Sequence, residues 1–177
     1  SDREPAVLVV GGGQAGLAVA ARLGQLEIET LVIDKHDRIG DNWRKRYHSL
    51  ALHNQIHVNH LPYLPFPPTW PKYIPKDMLA NWFELYADVM QVNFWTGTEL
   101  INANYDGRLN HWVATVRQNN NSERILKPKH IIFANGVSGI PYKPKLDGLC
   151  DFRGEVLHSE GFSNGAEWTG KRAAVLG

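Results

Sequence analysis

Cysteine is nearly absent: the 177 residues hold one, Cys150. A single thiol cannot close an intramolecular disulfide, so a disulfide-stapled secreted fold is excluded. It also has no partner thiol in the chain, so it is read as a small loop residue rather than a redox centre. Charge of one sign is lacking too. Nineteen Lys and Arg stand against 18 Asp and Glu, for a net charge of +1. Nothing in that balance pulls the chain toward nucleic acid or an anionic membrane, and no basic run appears. No apolar stretch is long enough to span a bilayer, and the first residues lack a secretory-signal pattern. An intracellular, cytoplasmic location is therefore expected, with no nucleic-acid partner and no stable membrane insertion. What remains is ordinary globular composition, 43% hydrophobic and 21% charged, and a length sufficient for one domain with a real core.

Val7–Val10 is a continuous apolar run, as expected for a strand buried on both faces. Gly11-Gly-Gly-Gln-Ala-Gly16 follows, then an Ala- and Leu-rich helical segment from Leu17 to Leu26, then a second apolar run, Thr30–Ile33, ending in Asp34. Each glycine has a task in a strand–turn–helix that receives a dinucleotide. Gly11 permits the tight turn. Gly13 lets the backbone approach a pyrophosphate. Gly16 lets the helix pack closely on the sheet. The helix N-terminus then offers unpaired N–H groups and a positive dipole end. Asp34 can accept from a ribose 2′-OH and argues against a 2′-phosphate at that place. FAD and NAD suit this unit equally.

Farther along, Lys76–Val89 reads as an amphipathic helix with Leu79, Trp82, Phe83 and Tyr86 on its core face. Strands are expected at Asn93–Trp95, Leu100–Tyr105 and Trp112–Arg117, with turns at Asp106-Gly107 and Asn119–Asn121. His130–Ala134 is another buried strand, closed by Asn135-Gly136, and Ile140–Pro144 an extended linker. Six of the ten prolines fall within residues 61–75, which excludes helix or central strand there. His53, His57 and His60 are close in sequence, but no carboxylate or thiolate joins them, so no metal site is expected.

The most informative stretch is Phe152–Phe162. It matches Phe-x-Gly-x-x-x-His-x-x-x-(Tyr/Phe) with Phe152, Gly154, His158 and Phe162. This string resembles the identifying signature of flavin-containing monooxygenases, the class B flavoprotein monooxygenases. Residues 40–54 are similar to the family's G-G-x-W…Y-x-S-L stretch through Gly40, Trp43, Arg44, Tyr47 and Ser49, with Asp41 in place of the second glycine. The Phe-Pro-rich loop also has a counterpart in the family. Ala134-Asn135-Gly136 stands where the family has Ala-Thr-Gly. A further βα unit after Asp34, as a nicotinamide dehydrogenase would have, is not evident in the sequence.

The resemblance implies an α/β fold: a Rossmann-like, three-layer FAD-binding domain of the glutathione-reductase type, with the strands Asn93–Trp95, Leu100–Tyr105 and Trp112–Arg117 as its β-meander. It divides the chain into an FAD-binding part over 1–138, a linker bearing the signature over 139–170, and the first strand of an NAD(P)-binding domain over 171–177. Gly177 would be the first glycine of that second domain's fingerprint. Both ends look cut, and the remainder of the polypeptide is expected to complete the fold.

The implied cofactors are FAD and NADPH. The implied cofactor-binding residues are Gly11, Gly13, Gln14, Ala15, Gly16, Asp34, Lys35, Gly40, Trp43, Arg44, Leu100, Ala134 and Gly136, with the backbone near Leu100 at the adenine. In the family a polar group near His53 or Asn54 stands beside the flavin; either residue can fill that role here, and a polar loop without chemistry is the alternative. His158 is assigned a coupling or structural role.

The implied reaction passes one oxygen atom from O2, through a C4a-peroxyflavin, to a nucleophilic nitrogen or sulfur of a small organic substrate. Phe162 favours this over Baeyer–Villiger oxygenation of a ketone, where Trp is usual. A flavin disulfide reductase would need a cysteine pair. The non-enzymatic alternative is an FAD-binding fragment without turnover.

Overall fold

The computed structural model describes residues 4–137 and 139–176. Gly177, and with it the expected start of a second glycine fingerprint, lies outside them. Strand β1 (Val7–Val10) leads into helix α1 (Gln14–Gln25) and strand β2 (Thr30–Ile33). A short helix α2 (Asp41–Arg44), the proline-rich loop and helix α3 (Lys76–Val89) come next. Strand β3 (Phe94–Trp95) follows, then β4 (Thr98–Asp106), β5 (His111–Gln118), β6 (Glu123–Leu126) and β7 (His130–Phe133).

Two sheets result. The parallel sheet has the order β3-β2-β1-β7, and the antiparallel one β4-β5-β6. In the parallel sheet Leu8 stands between Leu31 and Ile131, Val9 between Val32 and Ile132. Both are fully buried, as their unbroken apolar runs require. One face packs on α1: Val7, Val9 and Val32 meet Ala20, with Val19 and Leu23 alongside. The other face packs on the meander: Leu8, Leu31 and Ile33 meet Ala114, Val116 and Leu126. Helices, parallel sheet and meander form the three layers expected. A further core joins α1 to α3 and the proline-rich loop through Leu17, Phe66, Ile74, Trp82, Phe83 and Tyr86. There Phe66, Trp70 and Trp82 lie 5.2–5.5 Å apart, ring to ring, and the Tyr86 hydroxyl donates to Pro62 O at 2.8 Å. The prolines keep the loop out of regular structure, and its aromatics fasten it to α3.

Two readings of the strands are corrected. Phe94–Trp95 is not part of the meander. It pairs parallel with β2, Val32 opposite Phe94 and Ile33 opposite Trp95. The chain does therefore continue with a further βα connection after Asp34, through α2 and α3. A two-residue strand at a sheet edge has too little periodicity to show which sheet it joins. The meander's third strand is β6, whose exposed Glu123, Arg124 and Ile125 hide its single inward residue, Leu126. Lys171–Leu176 is exposed and has no strand pairing among the described residues. A strand exists through a neighbour's backbone groups, and this segment meets none among the described residues.

Candidate functional site

The order β3-β2-β1-β7 means that the chain leaves β1 toward β2 and β3 on one side and returns as β7 on the other. The change of direction falls between β1 and β7, and at such a point, beyond the carboxyl ends of the strands, open α/β sheets form the crevice that takes ligands. Gly11 and Ala134 form its floor. Gly11 has φ +105, and a Cβ there would stand 2.5 Å from Ala134 O. The backbone is tied on both sides: Gly11 N donates to Ile33 O at 2.8 Å and Ala134 N to Val10 O at 2.7 Å. Gly16 seats α1 on this turn, since a Cβ there would lie 2.0 Å from Gly11 O. The space over Gly13 meets only the Asn42 amide, 3.1 Å from the position of a Cβ.

Gly13 is also the N-cap of α1. It brings no capping side chain, and the first turn holds no acid. Gln14 and Ala15 are exposed. Among the described residues the leading N–H groups and the positive dipole end thus have no capping side chain and no first-turn acid, a setting that receives an anion.

Asp34, just past β2, is locked beside the glycine turn. Its Oδ2 accepts from Gly12 N at 2.7 Å, and its Oδ1 from His36 N at 2.9 Å and His36 Nδ1 at 2.7 Å. Its backbone oxygen accepts from Thr98 N at 2.8 Å, and Gly97 N donates to His36 O at 2.7 Å. The meander therefore starts at Asp34 through Gly97–Thr98. Leu100, two residues on, packs its side chain into the sheet–meander core beside Leu8 and Ile33. Lys35 is exposed and makes no side-chain hydrogen bond or ion pair among the described residues. Gly136 lies beyond β7 with φ +77 and open space around it.

The structure brings Gly11, Gly13, Gly16, Asp34 and Ala134 together. It uses Gly40, Trp43 and Arg44 differently. A Cβ at Gly40 would stand 2.5 Å from Ala80 O, so this glycine lets α2 lie against α3. Trp43 is half-buried against the α1–α3 core. The Arg44 guanidinium is taken up by protein: Nη1 by Ile39 O at 2.6 Å and Asp41 at 3.4 Å, Nη2 by Asn81 at 3.0 Å and Glu84 at 3.0 Å. Burial pushes the Asp41 carboxyl up, but Lys45 and Arg44 more than offset this and hold it below the usual carboxylate range. These residues hold α2 against α3.

His53 and Asn54 are exposed, next to the bridge between Ala51 and Pro75, and their side chains form no hydrogen bond among the described residues. His60 is structural: its Nδ1 accepts from Phe66 N at 2.9 Å, with the rings 5.2 Å apart. Among the described residues no group of three His, Cys, Asp or Glu could hold a metal, and no helix is long and apolar enough to cross a membrane.

The signature residues make local contacts and one contact with the body of the domain. Phe152 folds its ring over Gly154, where a Cβ would come within 2.5 Å. His158 Nδ1 accepts from Glu160 N at 3.1 Å and caps a 3-10 turn. Phe162 rests on Tyr47 with ring centroids 5.9 Å apart, and Ser163 O accepts from His48 N at 2.8 Å. The far end of the motif is docked on the loop that follows Trp43.

Three residues escape sequence reasoning. A Cβ at Gly12 would stand 2.0 Å from the Phe94 ring. The run of three consecutive glycines was the available signal. His36 and Asn42 carry no signal in the sequence, since only the folded turn brings them to Asp34 and Gly13.

Residues 9–69 match a family model described as an NAD(P)-binding Rossmann-like domain. Across 98% of its length the chain is 30% identical to indole-3-pyruvate monooxygenase YUCCA1 of Oryza sativa subsp. japonica. It spans 42% of that relative's length. Among solved structures, a flavin-containing monooxygenase from Stenotrophomonas maltophilia superposes with a TM-score of 0.80 at 23% identity, over 94% of this chain and 48% of that one. OTEMO, in complex with FAD and NADP, superposes with a TM-score of 0.67 at 22% identity, over 86% of this chain and 30% of that one. With the signature, the glycine crevice and these likenesses together, the chain belongs to the flavin-containing monooxygenase family, matching the N-terminal portion of its members.

Proposed function

We propose that this chain forms the FAD site of an FAD- and NADPH-dependent monooxygenase that transfers one oxygen atom from O2 to a nucleophilic nitrogen or sulfur of a small organic substrate. The observation that carries the reading is the crevice itself. A cradle with no room for side chains at Gly11 and Gly16 lies under an uncapped helix N-terminus, with the Asp34 carboxylate fastened alongside. These residues fit a dinucleotide. The N–H groups of the first turn of α1 would hold the pyrophosphate, with the Asn42 amide as a further donor. Asp34 would accept from the adenosine ribose, and Lys35 and the backbone toward Leu100 would border the adenine. His53 or Asn54 is the proposed polar group at the reacting end, with Ala134 and Gly136 at the mouth of the crevice. Gly40, Trp43 and Arg44, holding α2 against α3, would keep a wall of the crevice in place.

Bound FAD would supply the relay of two electrons from NADPH to dioxygen; the protein's share is to bind, orient and shield the cofactor. NADPH as reductant is supported by the OTEMO complex with FAD and NADP. The reading places the protein in the cytoplasm and takes residues 139–170 as the linker toward a nicotinamide domain beginning near residue 171.

A second reading has an observation in its favour. Indole-3-pyruvate, named for the rice relative, is a 2-oxo acid. Its electrophilic centre is a carbonyl carbon rather than a nitrogen or sulfur. Oxygenation at a carbonyl carbon is therefore kept as the alternative.

The test is FAD binding by the purified chain, read as a protein-bound flavin spectrum at one per chain. NADPH oxidation with O2 uptake is then followed in the longer protein, comparing a thioether, a tertiary amine and a 2-oxo acid. One flavin per chain and oxygen transfer to the thioether or amine supports the proposal. Transfer to the 2-oxo acid alone shifts it to the second reading, and absence of bound flavin ends both.

A further inference from the structure

The Asp34 carboxylate is held by more donors than a free ribose acceptor would have. An ionised carboxylate only accepts, and each oxygen has room for about two donors. Oδ1 already takes His36 N and His36 Nδ1, at 2.9 and 2.7 Å. Oδ2 takes Gly12 N at 2.7 Å. Among the described residues one acceptor position remains, on Oδ2. Because the partner is a carboxylate, Nδ1 of His36 carries the ring proton. The backbone of His36 is fixed in turn, its carbonyl oxygen accepting from Gly97 N at 2.7 Å. The imidazole is only about a quarter exposed.

We propose that His36 is a positioning residue: it pins Oδ1 of Asp34, so that the carboxylate presents its single open acceptor on Oδ2 to one ribose hydroxyl of an adenine dinucleotide. The inference rests on the FAD reading above. Without the imidazole, Oδ1 keeps only a backbone donor, and the carboxylate can turn about its last torsion. The hydrogen bond to Gly12 N then competes with other orientations, and the ribose hydroxyl meets a carboxylate that is no longer preset.

The test uses the 177-residue chain and two probes, ADP and 2′-deoxy-ADP, each displacing FAD in a fluorescence titration. The ratio of their affinities isolates the hydroxyl–carboxylate bond, because everything else in the two probes is the same. In the unaltered chain ADP is expected to bind about tenfold tighter, as for a hydrogen bond to a charged group. His36→Leu is expected to bring the ratio to about one and to weaken FAD by about fivefold or more. His36→Asn, whose amide can donate to Oδ1, is expected to restore most of the ratio. A merely structural role would weaken both probes equally; a ratio unchanged in His36→Leu overturns the proposal. Should His36→Leu fail to fold, His36→Ala serves for the same comparison. If the unaltered chain binds FAD but does not distinguish the two probes, this proposal fails and the FAD reading stands. If it binds neither FAD nor ADP, the FAD reading itself fails.

Discussion

The glycine crevice and the family signature identify the same family by opposite physics. In residues 7–34 nearly every identifying residue is fixed by its neighbours: Leu8, Val9 and Val32 have no exposed surface, and Gly11, Gly12 and Gly16 have no room for a side chain. In residues 139–176 the identifying residues lie largely outside the core. Phe152 is 61% exposed, and the segment turns through short 3-10 elements. It meets the body through Phe162 on Tyr47 and Ser163 on His48. A motif can therefore mark a family because packing demands it, or because function demands it at places where packing demands little.

Substitutions can break this contrast, beginning with the largest expected effect. Leu8→Ala removes a fully buried side chain between the two sheets and is expected to cost about 3–4 kcal/mol in urea unfolding. Phe152→Ala should cost less than about 0.5 kcal/mol in the same measurement. Equal losses would show that the signature is as much core as β1.

Alkaline pH gives the next effect. Burial pushes the Tyr86 phenol up to about 12, with a smaller contribution from Tyr63. A raised folded value favours the neutral phenol. The resulting stability is complete below the unfolded value, near 10, and is lost as pH rises through about 12. Roughly 2–3 kcal/mol should disappear across that window, and Tyr86→Phe should remove this dependence from an unfolding series between pH 9 and 12.

Gly13→Ala sharpens the contrast within the crevice. The added Cβ meets only the Asn42 amide, so stability should change by less than about 1 kcal/mol. FAD affinity, by titration, should fall about tenfold, because the methyl stands where the pyrophosphate must approach. Smallest is Phe162→Ala, expected to cost about 0.5–1 kcal/mol and to speed hydrogen exchange at His48 N–H, whose acceptor is Ser163 O. No change in that exchange would mean that the signature's far end is not held by its aromatic.

Much of the site was legible because its determinants are local. Val7–Asp34 declares a strand, a glycine turn, a helix and an acid in consecutive residues, and the structure folds them so. Leu79, Trp82, Phe83 and Tyr86 declared the core face of α3 by spacing alone, and all are buried. Residues that act across the chain gave no such sign. Phe94 looked like meander and proved to be the edge of the parallel sheet, its ring closing the space above Gly12. Arg44 looked like a cofactor ligand, yet Asn81 and Glu84 of α3 take its Nη2. Leu100 marked the meander correctly, while the backbone joined to Asp34 is Gly97–Thr98.

By itself, then, the sequence determined the βαβ unit, the glycine turn and the family, since each depends on residue types at short, fixed separations. Only the tertiary structure decided which groups stand around that turn. The Asp34 carboxylate meets Gly12 and His36, the Asn42 amide overhangs Gly13, and Phe162 settles on Tyr47. The Gly12, Asn42 and Phe162 contacts join residues far apart along the chain, and even His36 reaches Asp34 only through the turn that folds it back. Pairings of that kind are set by sheet order and packing, which no local pattern of residues encodes.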